Sequence, residues 1–189
     1  HNGRRRQRQM CIRDSYSAVC GAVGALKGPL HGGANEQVMH VLQEIDDPSK
    51  AKDWLLTALK EKRKIMGFGH RVYKRGDSRA PTMNKWGKKV AEHVGEMKWH
   101  NIADVLEETM VAEKNIYPNV DFPAGPAYYL MGFPIDLFTP IFVMARITGW
   151  TAHVMEQHEN NRIIRPLSNY TGESERKVST LDERSTIKV

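Results

Sequence analysis

The sequence predicts an all-α fold. Apolar residues recur at three- and four-residue spacing in several separate stretches, and no run of five or more residues alternates strictly between apolar and polar. A composition of 40% hydrophobic and 26% charged residues over 189 positions is that of a chain able to bury a core.

The first predicted helix begins at Ser15. Tyr16, Val19, Val23 and Leu26 keep helical spacing, and the small residues Ala18, Gly21, Ala22, Gly24 and Ala25 permit close approach of a neighbour. Gly28-Pro29 stops it. The Gly-rich loop His31-Gly32-Gly33-Ala34-Asn35 leads into a helix over 36–44, with Val38, Val41, Leu42 and Ile45 along one face. In the turn 46–49, Ser49 is placed to cap the next helix, 50–64, which turns Trp54, Leu55, Ala58 and Leu59 inward.

Residues 65–81 are Gly-rich and basic and lack helical spacing, so they read as an ordered loop with an extended piece at 71–73. Helices follow over 82–94 and 99–113, the second carrying Ile102, Val105, Leu106, Met110 and Val111. Pro118, Pro123 and Gly125 mark 115–125 as a loop before a short helix at 127–131. The segment 137–157 is the longest apolar helix, and its apolar residues surround most of its circumference, which predicts a central, buried position. Beyond Arg165-Pro166 the chain becomes polar and irregular.

Charge narrows the function classes. The net charge is +6 and the isoelectric point about 9.3, a balance that invites a nucleic-acid reading. Five of the 28 basic residues, however, are Arg4, Arg5, Arg6, Arg8 and Arg13; without them 23 basic residues face 22 acidic ones. The basicity therefore belongs to a tail over 1–14 that lacks interleaved aromatics, and the body is near neutral. No apolar run reaches the roughly 18 residues that span a bilayer. Two cysteines, Cys11 and Cys20, fit a reducing compartment, so a cytoplasmic location is expected, with neither nucleic acid nor membrane as partner. No HExxH motif or Cys/His cluster suggests a metal, and no phosphate loop or dinucleotide fingerprint is present.

Three ionisable residues sit among Gly and Pro at helix boundaries. His31, in GPLHGGAN, precedes a helix N-terminus, whose dipole favours a neutral, hydrogen-bond-donating imidazole. His70, in GFGHRVYK, follows glycines that let backbone approach a ligand. Asp121, in PNVDFPAGP, has apolar neighbours that disfavour the bare carboxylate and raise its proton affinity, as a general base requires. Each residue taken singly reads equally as a cap or turn residue. Arg79, Arg146 and Arg165 form a second set suited to a small polycarboxylate, with structural ion pairs as the alternative. Arg146 is the most informative, because a guanidinium on an otherwise buried helix needs an anion or acceptors.

Together GPLHGGANEQVM, IMGFGHRVYKRGDSR, NVDFPAGPAYYLMGF, FVMARITGWTAH and IRPLS resemble the citrate synthase family, over residues 15 to about 176. The wording around His70 and Thr151 is most similar to the bacterial 2-methylcitrate synthases. That resemblance implies the family's multi-helical fold, here a small domain plus the last helices of a large one, with an irregular tail over 177–189. It implies condensation of acetyl-CoA or propionyl-CoA with oxaloacetate, in a homodimer. No metal or redox cofactor is implied, because coenzyme A enters as part of the thioester substrate. His31 then holds the thioester oxygen as the enol forms, Asp121 removes the α-proton, and His70 polarises the ketone. Arg79 and Arg146 grip the oxaloacetate carboxylates beside Phe142, and Arg165 is supplied across the subunit interface. Gly67, Phe68, Gly69 and Lys74 fall where the family binds coenzyme A.

The family's chains begin well upstream, so the resemblance also implies a C-terminal portion, poorly active or inactive alone, behind a basic tail over 1–14 that reads as solvated and disordered or as foreign sequence. Two other readings compete: a non-catalytic helical module that binds anions or a partner subunit, and nucleic-acid binding through the Arg arm.

Overall fold

The computed structural model describes residues 15–28, 30–73, 76–162, 167–175 and 177–184. The basic tail, Lys74 and Arg165 therefore lie outside the described residues. The described residues are helical and contain no strand; one isolated antiparallel bridge joins Phe68 to Pro118. In chain order the helices are α1 (Ser15–Leu26), α2 (Ala34–Ile45), α3 (Pro48–Lys60), α4 (Ala80–Val94), α5 (Lys98–Lys114) and α6 (Asp121–Leu130). A 3-10 turn, Ile135–Leu137, leads into α7 (Phe138–Glu159), and α8 (Leu181–Arg184) is a single turn near the end.

The core follows the apolar stripes. Val38 and Leu42 of α2, Leu55 of α3, Ile102 and Leu106 of α5, and Phe122 of α6 are all buried together. Helix α6 packs on α2 and α4, α3 on α5, and α1 on α7. Phe138 is fully buried and meets the Tyr128 ring at 5.5 Å, which pins the first residue of α7 to the core.

Four expectations change. Asp47, not Ser49, caps α3: its Oδ1 accepts from both the backbone N–H and the hydroxyl of Ser49, and Pro48 occupies the first helical position. No strand forms at 71–73. The helix expected at 127–131 starts at Asp121 and takes in much of the expected loop. Pro123 falls in its first turn, where the missing N–H has no partner to lose. Gly125 lets α6 cross α2 closely, because a β-carbon there would stand 3.0 Å from the Asn35 carbonyl oxygen.

The fourth change concerns α7, which is the longest helix but not a buried one. Among its residues Phe138 and Val154 are buried, while Met144 and Met155 stay more than 70% exposed. Within the described residues its neighbours are mainly α1, α2 and the 3-10 turn, so the rest of its apolar circumference is uncovered. Tyr16 and Val23 of α1 are likewise exposed.

Candidate active site

Four short segments meet at one cleft of about 420 Å³. They bring His31, His70, Arg79, Asp121, Phe142 and Arg146 to its wall, together with Gly67, Phe68 and Gly69. Nine of the eleven residues singled out in the sequence thus share one site, and the other two, Lys74 and Arg165, lie outside the described residues.

The loop before α2 holds His31. Its backbone folds tightly: Gly33 N–H donates to Gly28 O at 3.0 Å and Gly32 N–H to Leu26 O at 2.9 Å. A β-carbon on Gly32 would lie 2.7 Å from Leu26 Cγ, so glycine is needed for this return. The loop is locked to α7 through Glu36 and Thr139. The Thr139 hydroxyl meets Glu36 Oε1 and Gly32 O, and Thr139 N–H donates to Glu36 Oε1 at 3.1 Å. One and two turns beyond Thr139, Phe142 and Arg146 reach the cleft; the Phe142 ring stands edge-on to His31 at 5.9 Å.

Gly67 and Gly69 adopt φ of +84° and +76°, the left-handed region that favours glycine. Their surroundings differ from one another. Gly67 is buried, and a β-carbon there would meet Val38 Cγ2 at 2.7 Å and Phe122 Cβ at 2.9 Å; its smallness serves packing between α2 and α6. Gly69 has space around it, with Ile116 Cγ2 nearest at 3.6 Å. Asn119 N–H donates to Gly67 O, its side-chain amide donates to Gly69 O, and its Oδ1 accepts from Asp121 N–H, so one residue ties the glycine loop to the start of α6.

Beyond that loop, His70 Nδ1 accepts from the backbone N–H groups of Val72 at 3.1 Å and Tyr73 at 3.2 Å. A nitrogen that accepts carries no proton, so neutral His70 bears its proton on Nε2 and presents a donor.

Asp121 opens α6 beside these groups. Burial pushes its carboxyl up to about 6, against the pull of Arg79; Asp77 pushes the same way as burial, and His70 opposes it. Arg79 is clamped by Asp77, with Nε to Oδ1 at 2.9 Å and Nη2 to Oδ2 at 2.7 Å. The ion-pair alternative for Arg79 therefore holds, yet its guanidinium remains half exposed and lines the cleft. The side-chain hydrogen bonds from Arg79 hold the Asp77 carboxyl down to about 2.

Arg146 corrects its own argument. Its helix is not buried here, and the residue is exposed; the guanidinium lies over the Phe142 ring at 4.9 Å, with no carboxylate partner among the described residues. With Lys64, Arg71 and Arg79 it makes the cleft wall strongly cationic around one carboxylate, Asp121.

Sequence reasoning missed Asp77, Asn119 and the Glu36–Thr139 lock. Asp77 had a signal, since an acid two residues before a candidate arginine is an obvious partner; Asn119 and Thr139 had none that spacing could reveal.

The helical fold thus carries a cationic cleft that holds a carboxylate of raised pKa and two histidines. A family model, the citrate synthase C-terminal domain, matches residues 12–167. The 2-methylcitrate synthase 1 of Corynebacterium glutamicum is 58% identical over 172 residues, 91% of this chain and 45% of that protein. The citrate synthase of Mycolicibacterium smegmatis is 59% identical over 163 residues, 86% of this chain and 44% of that one. A ternary complex of carboxymethyl coenzyme A and oxaloacetate with citrate synthase from Thermoplasma acidophilum superposes with a TM-score of 0.83 at 37% identity, covering 95% of this chain and 50% of that chain.

The chain belongs to the citrate synthase family. It spans about half the length of the curated relatives it matches. Relatives carrying the two names stand at nearly equal identity, so likeness alone does not separate them.

Proposed function

We propose that this chain carries the condensing site of an enzyme that joins an acyl-CoA, acetyl or propionyl, to oxaloacetate and releases coenzyme A. The observation that supports it best is Asp121, a carboxylate pushed up to about 6 by burial in a cationic cleft. An α-carbon acid is very weak; its removal needs a base of raised proton affinity and a donor facing the developing oxyanion. Asp121 takes the α-proton while His31 holds the thioester oxygen. The enol carbon then attacks the ketone of oxaloacetate, whose oxygen receives a hydrogen bond from His70 Nε2. Water cleaves the condensed thioester to the free acid and coenzyme A.

Arg79 and Arg146 hold the two carboxylates, with Phe142 shaping the space between, and Arg165 reaches in from a second subunit. Gly67, Phe68, Gly69 and Lys74 receive the coenzyme A moiety. The reaction on this reading uses no metal or redox cofactor, and the active assembly is at least a homodimer. The domain division is also part of the proposal: a basic tail over 1–14, the family region over 15–176 and a C-terminal tail over 177–189, in which the expected irregular stretch holds the single turn α8.

Since the relatives are twice as long, the chain alone releases coenzyme A slowly or not at all. A chimera of residues 15–189 with the upstream half of the Corynebacterium glutamicum relative restores turnover. In it, Asp121→Asn lowers coenzyme A release by roughly 10²–10⁴-fold. Near-normal turnover by the chimera carrying Asp121→Asn would reject the reading and leave a non-catalytic, anion-binding helical module in its place.

A further inference from the structure

Asp77 is the one acid fully buried among the described residues, and nothing in the reaction itself uses it. Its two oxygens collect four hydrogen bonds. Oδ1 accepts from Arg79 N–H at 3.0 Å and Arg79 Nε at 2.9 Å; Oδ2 accepts from Arg79 Nη2 at 2.7 Å and from Val120 N–H at 3.2 Å. Val120 is the residue immediately before Asp121 and stands at the N-cap position of α6. A single carboxylate thus fastens an arginine of the cleft wall to the turn that carries the base, across 43 residues of sequence.

We propose that Asp77 is a positioning residue which joins Arg79 and the Asp121 turn into one rigid unit, so that the carboxylate-binding arm and the base keep a fixed separation. The proposal rests on the reading of the cleft given above, and it goes beyond it in assigning a task to a residue that touches no substrate.

The geometry favours this over simple filling of the core. A buried carboxylate is costly unless its lone pairs are taken up, and here both oxygens are satisfied in two directions at once. The Arg79 fork is bidentate, which fixes the guanidinium plane as well as its position. The Arg79 guanidinium also lies over the Tyr73 ring, 5.8 Å from its centre, a second contact that favours the clamped position. The titratable groups that act on Asp121 are Arg79, Asp77 and His70, all from the loop 70–79, and Tyr128 of its own helix, in a cleft that Lys64, Arg71 and Arg146 also line. A change in the clamp must therefore be read at Asp121 as well as at Arg79.

The test is a double-mutant cycle on the 189-residue chain, built from Asp77→Asn, Arg79→Gln and both together. The first readout is the titration midpoint of the Asp121 carboxyl, followed by carbon-13 NMR; the second is the affinity for oxaloacetate by calorimetry. With Asp77 present, Arg79→Gln raises the Asp121 midpoint by at least about half a pH unit and weakens oxaloacetate by roughly tenfold. In the Asp77→Asn background, where Arg79 has lost its clamp, the same substitution changes the midpoint by less than about 0.2 and the affinity by less than about twofold. Equal effects in both backgrounds would overturn the proposal, because a merely structural Asp77 lowers stability without altering what Arg79 contributes.

Should Asp77→Asn fail to fold, the unaltered chain decides. The Arg79 Nε–H then exchanges with water at least about tenfold more slowly than that of exposed Arg71, and equal rates would overturn the clamp. Absence of any oxaloacetate binding to the unaltered chain would count against the functional reading instead, and the titration cycle still decides the clamp.

Discussion

Asp121 shows how burial can set the charge of one side chain against the stability of the fold. Its folded carboxyl titrates near 6 against an ordinary 3.8, because burial disfavours the charge. The protonated form is the one the fold favours. This group's contribution is therefore fully present below about pH 3.8 and is lost as pH rises through about 6. Asp121→Asn removes a charge the fold resists. It raises the unfolding free energy at pH 7 by about 1–3 kcal/mol, and the gain vanishes near pH 3.5, as thermal unfolding at the two pH values will show. A gain of equal size at both would mean the carboxylate is not penalised by its surroundings. Asp77 has the opposite sign: held down to about 2, it adds stability above about pH 3.8 that is lost as pH falls toward 2.

At the scale of elements, the cleft depends on stitching between segments that are individually short. The loop 67–69 is fastened to 117–119 by Gly69 N–H to Tyr117 O and Asn119 N–H to Gly67 O, both at 2.9 Å, and Phe68 stacks on Phe122 with ring centres 4.4 Å apart. Gly67 is the point where α2, α6 and this loop touch. Gly67→Ala adds a β-carbon where Val38 and Phe122 already stand and forces it into a left-handed backbone. It lowers stability by about 2–4 kcal/mol, seen as a denaturant midpoint that falls with an unchanged slope. Helix α6 marks the limit of reading by punctuation. Pro123, Gly125 and Pro126 look like loop in one dimension, yet Phe122, Ala124 and Ala127 are buried against α2 and α4, and that burial outweighs the breakers. The stripes of α2, α3 and α5 were legible because amphipathic periodicity survives in the sequence, whereas α7's surroundings were not, because apolarity states a need for cover without naming what supplies it.

At the scale of the molecule, the recognised stretches of sequence converge where motif order alone could not guarantee it. The positions of His31, His70, Arg79, Asp121, Phe142 and Arg146 were legible because each sits in a Gly- or Pro-marked loop or on an apolar helix. What joins them was not legible: Asp77, Asn119 and the Glu36–Thr139 lock act through hydrogen bonds between segments distant in sequence. The basic excess that first suggests nucleic acid sits in the N-terminal 14 residues, while the cations lining the cleft come from the near-neutral body. The open faces of α1 and α7 fit a chain that spans half the length of its relatives.

The central claim, that Asp121 is the base for an acyl-CoA α-proton, is tested most directly by deuterium incorporation. The chimera with the upstream half of the Corynebacterium glutamicum relative is incubated in deuterated water with propionyl-CoA or acetyl-CoA, and label at the α-carbon is followed by mass spectrometry. The account predicts incorporation whose rate climbs through an apparent pKa near 6 and falls by at least about a hundredfold in Asp121→Asn. Incorporation at an undiminished rate in the Asp121→Asn protein would contradict it.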